Sequence, residues 1–208
     1  MVRCAIPWSQ AEPAVTPLLA KLIWGAGAIA WFAVMYPHIR RSRKTRTMQR
    51  RERSRERVLL SISFTGLFVI PAIYCFTGEP RFADYPFQPP LAWLGVAVLA
   101  AALALFFHTH RTLGRFWSVT LEIRQNHGLV TDGIYSWVRH PMYSAYFLWA
   151  LSQALLLPNA IAGPAGLIGF GTLFAFRVRR EESMMLQAFG DAYAAYAART
   201  KRIIPGVF

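Results

Sequence analysis

Long apolar stretches alternate with basic ones along this chain, and that alternation organises everything else. A helix that crosses a bilayer needs roughly 20 apolar residues, with a range of about 17 to 25. Three stretches reach that length. The first is 18–37, with Lys21 near its start, where a long side chain can snorkel to the interface; the second is 58–77, in which Pro71 predicts a kink; the third is 91–107, entered through Pro89 and Pro90. Two more, 142–157 and 161–176, are separated by the breaker Pro158-Asn159 and read as a helical hairpin with a very short turn. Each arm is short for a full span, so both are expected to run on into the flanking polar residues. The pattern predicts an all-α fold, a polytopic integral membrane bundle of about five transmembrane helices with a cytoplasmic C-terminal segment.

Charge fixes the orientation. The 208 residues are 55% hydrophobic and carry a formal net charge of +13. Excess Lys and Arg mark either a nucleic-acid binder or loops held on the cytoplasmic side of a bilayer. Repeated apolar runs of spanning length select the second, and no nucleic-acid partner is expected. Of the 23 Lys and Arg, ten lie in 38–57, four in 108–140 and six in 177–208. With five spans and the N-terminus outside, all three segments share the cytoplasmic face, whereas four or six spans would split them. The run 38–57 suits a solvated connection and equally a contact with anionic membrane lipids, worth about 1 kcal/mol per basic residue near the surface. The loop 78–90, with its prolines and aromatics, suits an interfacial cap. The opening residues, with Pro7, Glu12, Pro13 and Pro17, do not read as a cleavable signal peptide. Cys4 and Cys75 are too few for a disulfide framework, and Cys75 reads as a small buried hydrophobe.

The chain divides near residue 110. Residues 1–110 form an N-terminal three-helix membrane region with the basic loop 38–57. Residues 111–208 place polar chemistry on either side of the membrane hairpin 142–176. The hairpin returns the chain to the face it left, so His127, Tyr135, Arg139 and His140 are expected to approach Arg177, Glu181 and Glu182. Ionisable groups at such a boundary serve either as interfacial anchors or as a site. Other chemistries find little support. No G-x-G-x-x-G follows a strand, Ser118 has no nucleophile elbow, and His108 and His110 lack Cys or carboxylate partners, so no metal is expected. Glu181 and Glu182, adjacent on a helix, point about 100° apart, so at most one faces a ligand. Met185, Phe189, Tyr193 and Tyr196 fall on one face of a predicted terminal helix, suiting either packing or the border of a ligand pocket. The closing I-I-P-G-V-F reads as a segment docking back on the bundle.

Six pieces share an order and spacing with a known family: L-G-R-F-W-S at 113–118, H-G-L-V-T-D-G-I-Y at 127–135, R-H-P-M-Y at 139–143, R-R-E-E at 179–182, F-G-D-A-Y-A-A-Y at 189–196 and I-P-G at 204–206. In these the chain resembles the isoprenylcysteine carboxyl methyltransferase family and its bacterial relatives. The resemblance implies a methyltransferase dependent on S-adenosyl-L-methionine, with the cofactor held by the cytoplasmic end of the bundle and the C-terminal segment. By position, His127, Gly128, Leu129, Val130, Tyr135, Arg139, His140, Pro141, Met142, Tyr143, Glu181 and Glu182 match cofactor-contacting residues. Arg177 matches an arginine assigned to substrate and, with Glu181, the catalytic pair. The implied acceptor is lipophilic, most simply the carboxylate of an isoprenylcysteine-like or other lipid-linked molecule. Ala145 stands where many relatives carry glycine, a small-for-small change. Residues 1–110 show no match, and they would shape the acceptor tunnel. Two other readings share the fold: a membrane reductase of the sterol-reductase type using NADPH, and a non-catalytic scaffold or ligand carrier.

Overall fold

The computed structural model of this protein describes residues 15–42, 47–50, 53–114, 122–124 and 128–208. Helices dominate them: α1 (Pro17–Ser42), α2 (Arg53–Phe64), α3 (Ile70–Thr77), α4 (Pro89–Leu113), α5 (Pro141–Leu156), α6 (Ala165–Phe189) and α7 (Asp191–Arg199). A short antiparallel ribbon is the departure from the all-α expectation: β1 (Thr47–Arg50) pairs with β2 (Glu122–Arg124). Among the described residues, three stretches are long and apolar enough to cross a membrane, Pro17–Arg40, Ser54–Thr77 and Pro89–Leu113. α4 runs without a break across position 110, so the division expected there falls inside a helix.

The second span needs three segments because of Pro71. Proline has no N–H to donate and its ring crowds the carbonyl four residues back. A π-helical turn over Thr65–Val69 widens the helix just ahead of it, and Pro71 then sits in the first turn of α3. The wide turn also exposes bare backbone at Gly66. A Cβ there would lie 2.2 Å from the Ala165 carbonyl oxygen, and one at Gly169 would lie 2.8 Å from the Ile62 carbonyl oxygen. The α2–α3 span and α6 therefore cross in main-chain contact.

The hairpin differs from its predicted form. Its turn runs from residue 157 to 164 rather than across two residues, and α6 starts at Ala165, not at 161. The turn is long because Asn159 builds it. The Asn159 amide donates to Pro80 O and Asp84 Oδ1, both at 2.8 Å, and its carbonyl oxygen accepts from the N–H groups of Ile161 and Ala162. Loop 78–88 is thereby clasped to the turn, and Ala160 N donates to Ala83 O at 2.8 Å. α6 then extends well past its apolar part, to Phe189, as the shortness of the arm required.

Aromatic rings fill the core. Trp31 of α1 stacks on Phe106 of α4 with centroids 3.6 Å apart, and Trp149 and Tyr146 of α5 close against it at 5.0 and 4.9 Å. At the end of the bundle opposite the Asn159 clasp, the three basic segments gather: α1 ends and α2 begins there, β1 pairs with β2, and the start of α5 meets the end of α6. That shared end is what the single-face charge argument requires.

Candidate active site at the basic end of the bundle

The site begins with a proline. Pro141 occupies the first turn of α5, where its missing N–H costs nothing, and His140 precedes it with non-helical backbone. The chain just before lies alongside the last residues: Val138 and Lys201 bridge in parallel, Arg139 N donates to Lys201 O at 2.7 Å and His140 N to Arg202 O at 2.9 Å. The Ser144 hydroxyl adds a bond to Ile203 O at 2.7 Å. The closing segment does dock on the bundle, as its sequence suggested.

Glu182 is the hub. Its carboxylate accepts from Arg139 Nη2 at 2.8 Å and Nε at 3.2 Å, and from Arg202 Nη2 at 2.8 Å, while His140 Nε2 lies 3.3 Å away. The side chain is 15% exposed. Burial opposes its charge, but the hydrogen bonds from His140, Arg202 and Arg139 outweigh that and hold the carboxyl well below the usual carboxylate range. Arg139 is spent on structure: its Nη1 also donates to the carbonyls of Ala197, at 2.9 Å, and Thr200.

Glu181 points elsewhere, as adjacent helical residues must. It accepts from the Tyr143 hydroxyl at 2.5 Å, and Arg177 Nε stands 4.0 Å from the same oxygen. Its other oxygen is 4.0 Å from His140 Nδ1, and the side chain is one-third exposed (34%). Arg177, 11% exposed, also faces Glu56 of α2 at 3.6 Å. Tyr135 is buried on a short 3-10 turn, Gly133–Ser136, and its carbonyl accepts from the Tyr196 hydroxyl at 2.6 Å. Burial first, then the Glu181 charge, pushes the Tyr135 phenol well above its ordinary value; burial pushes Tyr193 and Tyr196 up to about 12. These rings stay neutral and act as walls and donors.

Of the expected residues, Tyr135, Arg139, His140, Pro141, Met142, Tyr143, Arg177, Glu181 and Glu182 lie together. His127 is outside the described residues, as are residues 115–118 of the first matching piece. Gly128 is exposed and Leu129 and Val130 are half-buried; the described bonds of the cluster do not reach them. The expected single helix face of Met185, Phe189, Tyr193 and Tyr196 is not formed. Gly190, at φ 52°, breaks the helix, so the first pair belongs to α6 and the buried tyrosines to α7. Two members escaped sequence reasoning. Glu56 was hidden in a run of arginines, and Arg202 stands 20 residues beyond its partner with no helical phase to link them.

Residues 93–187 match the model of the isoprenylcysteine carboxyl methyltransferase (ICMT) family. The protein-S-isoprenylcysteine O-methyltransferase of Dictyostelium discoideum is 39% identical over 90 residues, 41% of this chain and 36% of that one. The Schizosaccharomyces pombe enzyme is 38% identical over 87 residues, covering 42% and 37%. The B form from Arabidopsis thaliana is 36% identical over 98 residues, covering 46% and 50%. The chain thus spans between about a third and a half of the length of these relatives. The solved structure of a eukaryotic intramembrane Ras methyltransferase ICMT covers 96% of this chain and 70% of that one, with a TM-score of 0.55 at 22% identity, which shows a shared fold. Helices of spanning length on that fold make this an integral multi-pass membrane protein. Over residues 93–187 the chain is similar in sequence to the isoprenylcysteine carboxyl methyltransferase family, and it shares the fold of a solved member.

Proposed function

We propose that this protein is a membrane methyltransferase that uses S-adenosyl-L-methionine to methylate a carboxylate on a lipophilic acceptor, at the cytoplasmic end of the bundle, with its N-terminus outside. The observation that carries the reading is the convergence of Tyr143, Arg177, Glu181 and Glu182 where α5 starts and α6 leaves its apolar part. When bound, the cofactor supplies an electrophilic methyl carbon, and displacement at that carbon by an acceptor already ionised needs little proton chemistry. The chain's task is to align, to hold charge and to exclude water.

The residues fit such a donor. Glu181 keeps one oxygen outside the Tyr143 bond and a third of its surface open, which suits an amino group or ribose hydroxyls. Tyr135 and Tyr143 offer ring faces. Arg139 is occupied by Glu182 and two carbonyls, so His140 is the better partner for the donor's carboxylate, and Arg139, Glu182 and Arg202 serve as the frame. By the family resemblance, His127 to Val130 would also contact the donor. Arg177 has a buried Nε without a hydrogen-bond partner among the described residues. It can hold an acceptor carboxylate while Glu56 and Glu181, at 3.6 and 4.0 Å, keep that pairing from becoming too tight to react.

Calorimetry of the detergent-purified protein with S-adenosylhomocysteine tests the reading. Micromolar binding is expected, weakened at least about tenfold, or about 1.4 kcal/mol, by Glu181→Ala. Absence of both heat and thermal shift sinks it. A labelled-methyl assay over a total lipid extract then identifies the acceptor.

A further inference from the structure

The strip that frames the site ends in an exposed apolar turn. Residues 201–203 run beside 138–140 and carry Arg202 to Glu182. The chain then curls. Ile203 N and Ile204 N both donate to Phe208 O at 2.7 Å, and Val207 N and Phe208 N donate to Ile204 O at 3.2 and 3.1 Å. Val207 is left 71% exposed, with Ile204 and Phe208 each about half exposed. Trp137, at the other end of the strip, is 70% exposed. Exposure of that size belongs to an outer surface rather than to the wall of a cavity.

Contacts with α5 and α6 fix the depth of the turn along the bundle. The Ser144 hydroxyl donates to Ile203 O at 2.7 Å, so the turn lies beside the start of α5. The neighbouring Tyr143 ring meets Phe174 of α6 with centroids 5.4 Å apart. α6 is apolar up to Phe176 and charged from Arg177 onward. The turn therefore stands level with the last apolar residues of α6, where a multi-pass bundle passes from hydrocarbon to headgroups. Irregular backbone tolerates that depth only when its polar groups find partners within the protein. Here the N–H groups of Ile203, Ile204, Val207 and Phe208 all find carbonyls within the turn itself. Arg199 and Lys201, just before it, are exposed, and basic side chains at that level meet lipid phosphates. Tryptophan likewise favours the headgroup layer. A loop built for water has no use for the apolar tip.

We propose that the turn inserts Ile204, Val207 and Phe208 into the bilayer interface, with Trp137 at headgroup level, so that phospholipid braces the strip framing Glu182 and His140. The inference goes beyond the methyltransferase reading and does not depend on it, since the strip, its depth and its exposed tip are the same whatever the site binds.

The test uses the full chain in phosphatidylcholine nanodiscs, in a background without Cys4 and Cys75. A nitroxide is attached at Val207→Cys, and its collisions with oxygen, which enters hydrocarbon, are compared with those of a nickel chelate that stays in water. The oxygen-to-nickel ratio should be several-fold higher than at Gln187→Cys, an exposed position roughly 16 Å along α6 beyond Phe176. It should approach the ratio at Ile168→Cys, an exposed residue in the apolar part of α6. A ratio like that at Gln187 overturns the proposal. So does a label closed to both probes, which assigns the turn to a protein partner instead. Bracing is read by hydrogen exchange at the amides of Arg139 and His140, which donate to Lys201 O and Arg202 O. Val207→Asp puts a charge at the interface and should speed that exchange about tenfold. The amides of Ile161 and Ala162, held by Asn159 at the opposite end, should keep their rate. Exchange at Arg139 and His140 that stays at the wild-type rate, or that rises equally at both ends, overturns the brace.

Discussion

At Glu182 one carboxylate answers two arginines and a histidine, and the consequences are measurable. Breaking a largely buried pair strands the remaining charges, so Glu182→Gln should lower stability by about 2–4 kcal/mol, read as a drop in melting temperature. The pH dependence has a definite sign. A carboxyl depressed in the folded state contributes fully above its unfolded value, near pH 4.3, and loses that contribution as pH falls toward the folded value. The wild type should therefore lose stability below about pH 4.3 more steeply than Glu182→Gln. Tyr143→Phe removes the 2.5 Å bond to Glu181 and leaves its packing against Phe174. Loss of this bond to a charged acceptor should cost about 1.5–3 kcal/mol of stability, read as a lower melting temperature, and should weaken donor binding as well. The sequence showed that two adjacent glutamates must diverge. It did not show which one turns to the arginines, because Arg202 reaches Glu182 only after the chain has turned at Gly190 and Thr200.

Helices and turns were legible to different depths. The apolar runs gave α1, α2 with α3, and α4, each helix running five or six residues beyond its apolar run at the basic end, because length and hydropathy are properties of the run itself. The hairpin turn was read as short because Pro158-Asn159 signals a break. Its real length follows from four bonds made by the Asn159 side chain, two of them to a loop some 75 residues earlier. Asn159→Ala should leave those buried groups unanswered and cost about 2–4 kcal/mol by denaturant unfolding. Close approach of main chains was equally hidden, since a glycine in an apolar run looks like any other. Gly66→Ala places a methyl against the Ala165 carbonyl and should cost at least about 1–3 kcal/mol. Gly25→Ala, with nothing within 4 Å, should be tolerated and serves as the control.

At the scale of the whole molecule, the count of basic residues carried the most information. It placed three distant segments at one end, and the pairing of β1 with β2 and of Arg139 with Glu182 brings them there. In a background without Cys4 and Cys75, cysteines at Ser136 and Ser183 should react with a membrane-impermeant maleimide from one side, and a cysteine at Phe82 from the other. Labelling of Ser136 and Ser183 positions from opposite sides would dismantle the site. The α5–α6 hairpin has one more bearing on function. It is moored twice, by Asn159 at the far end and by Glu182 at the near one, and so behaves as a strut rather than a hinge. Anything bulky that enters must therefore displace a neighbouring helix rather than bend this pair.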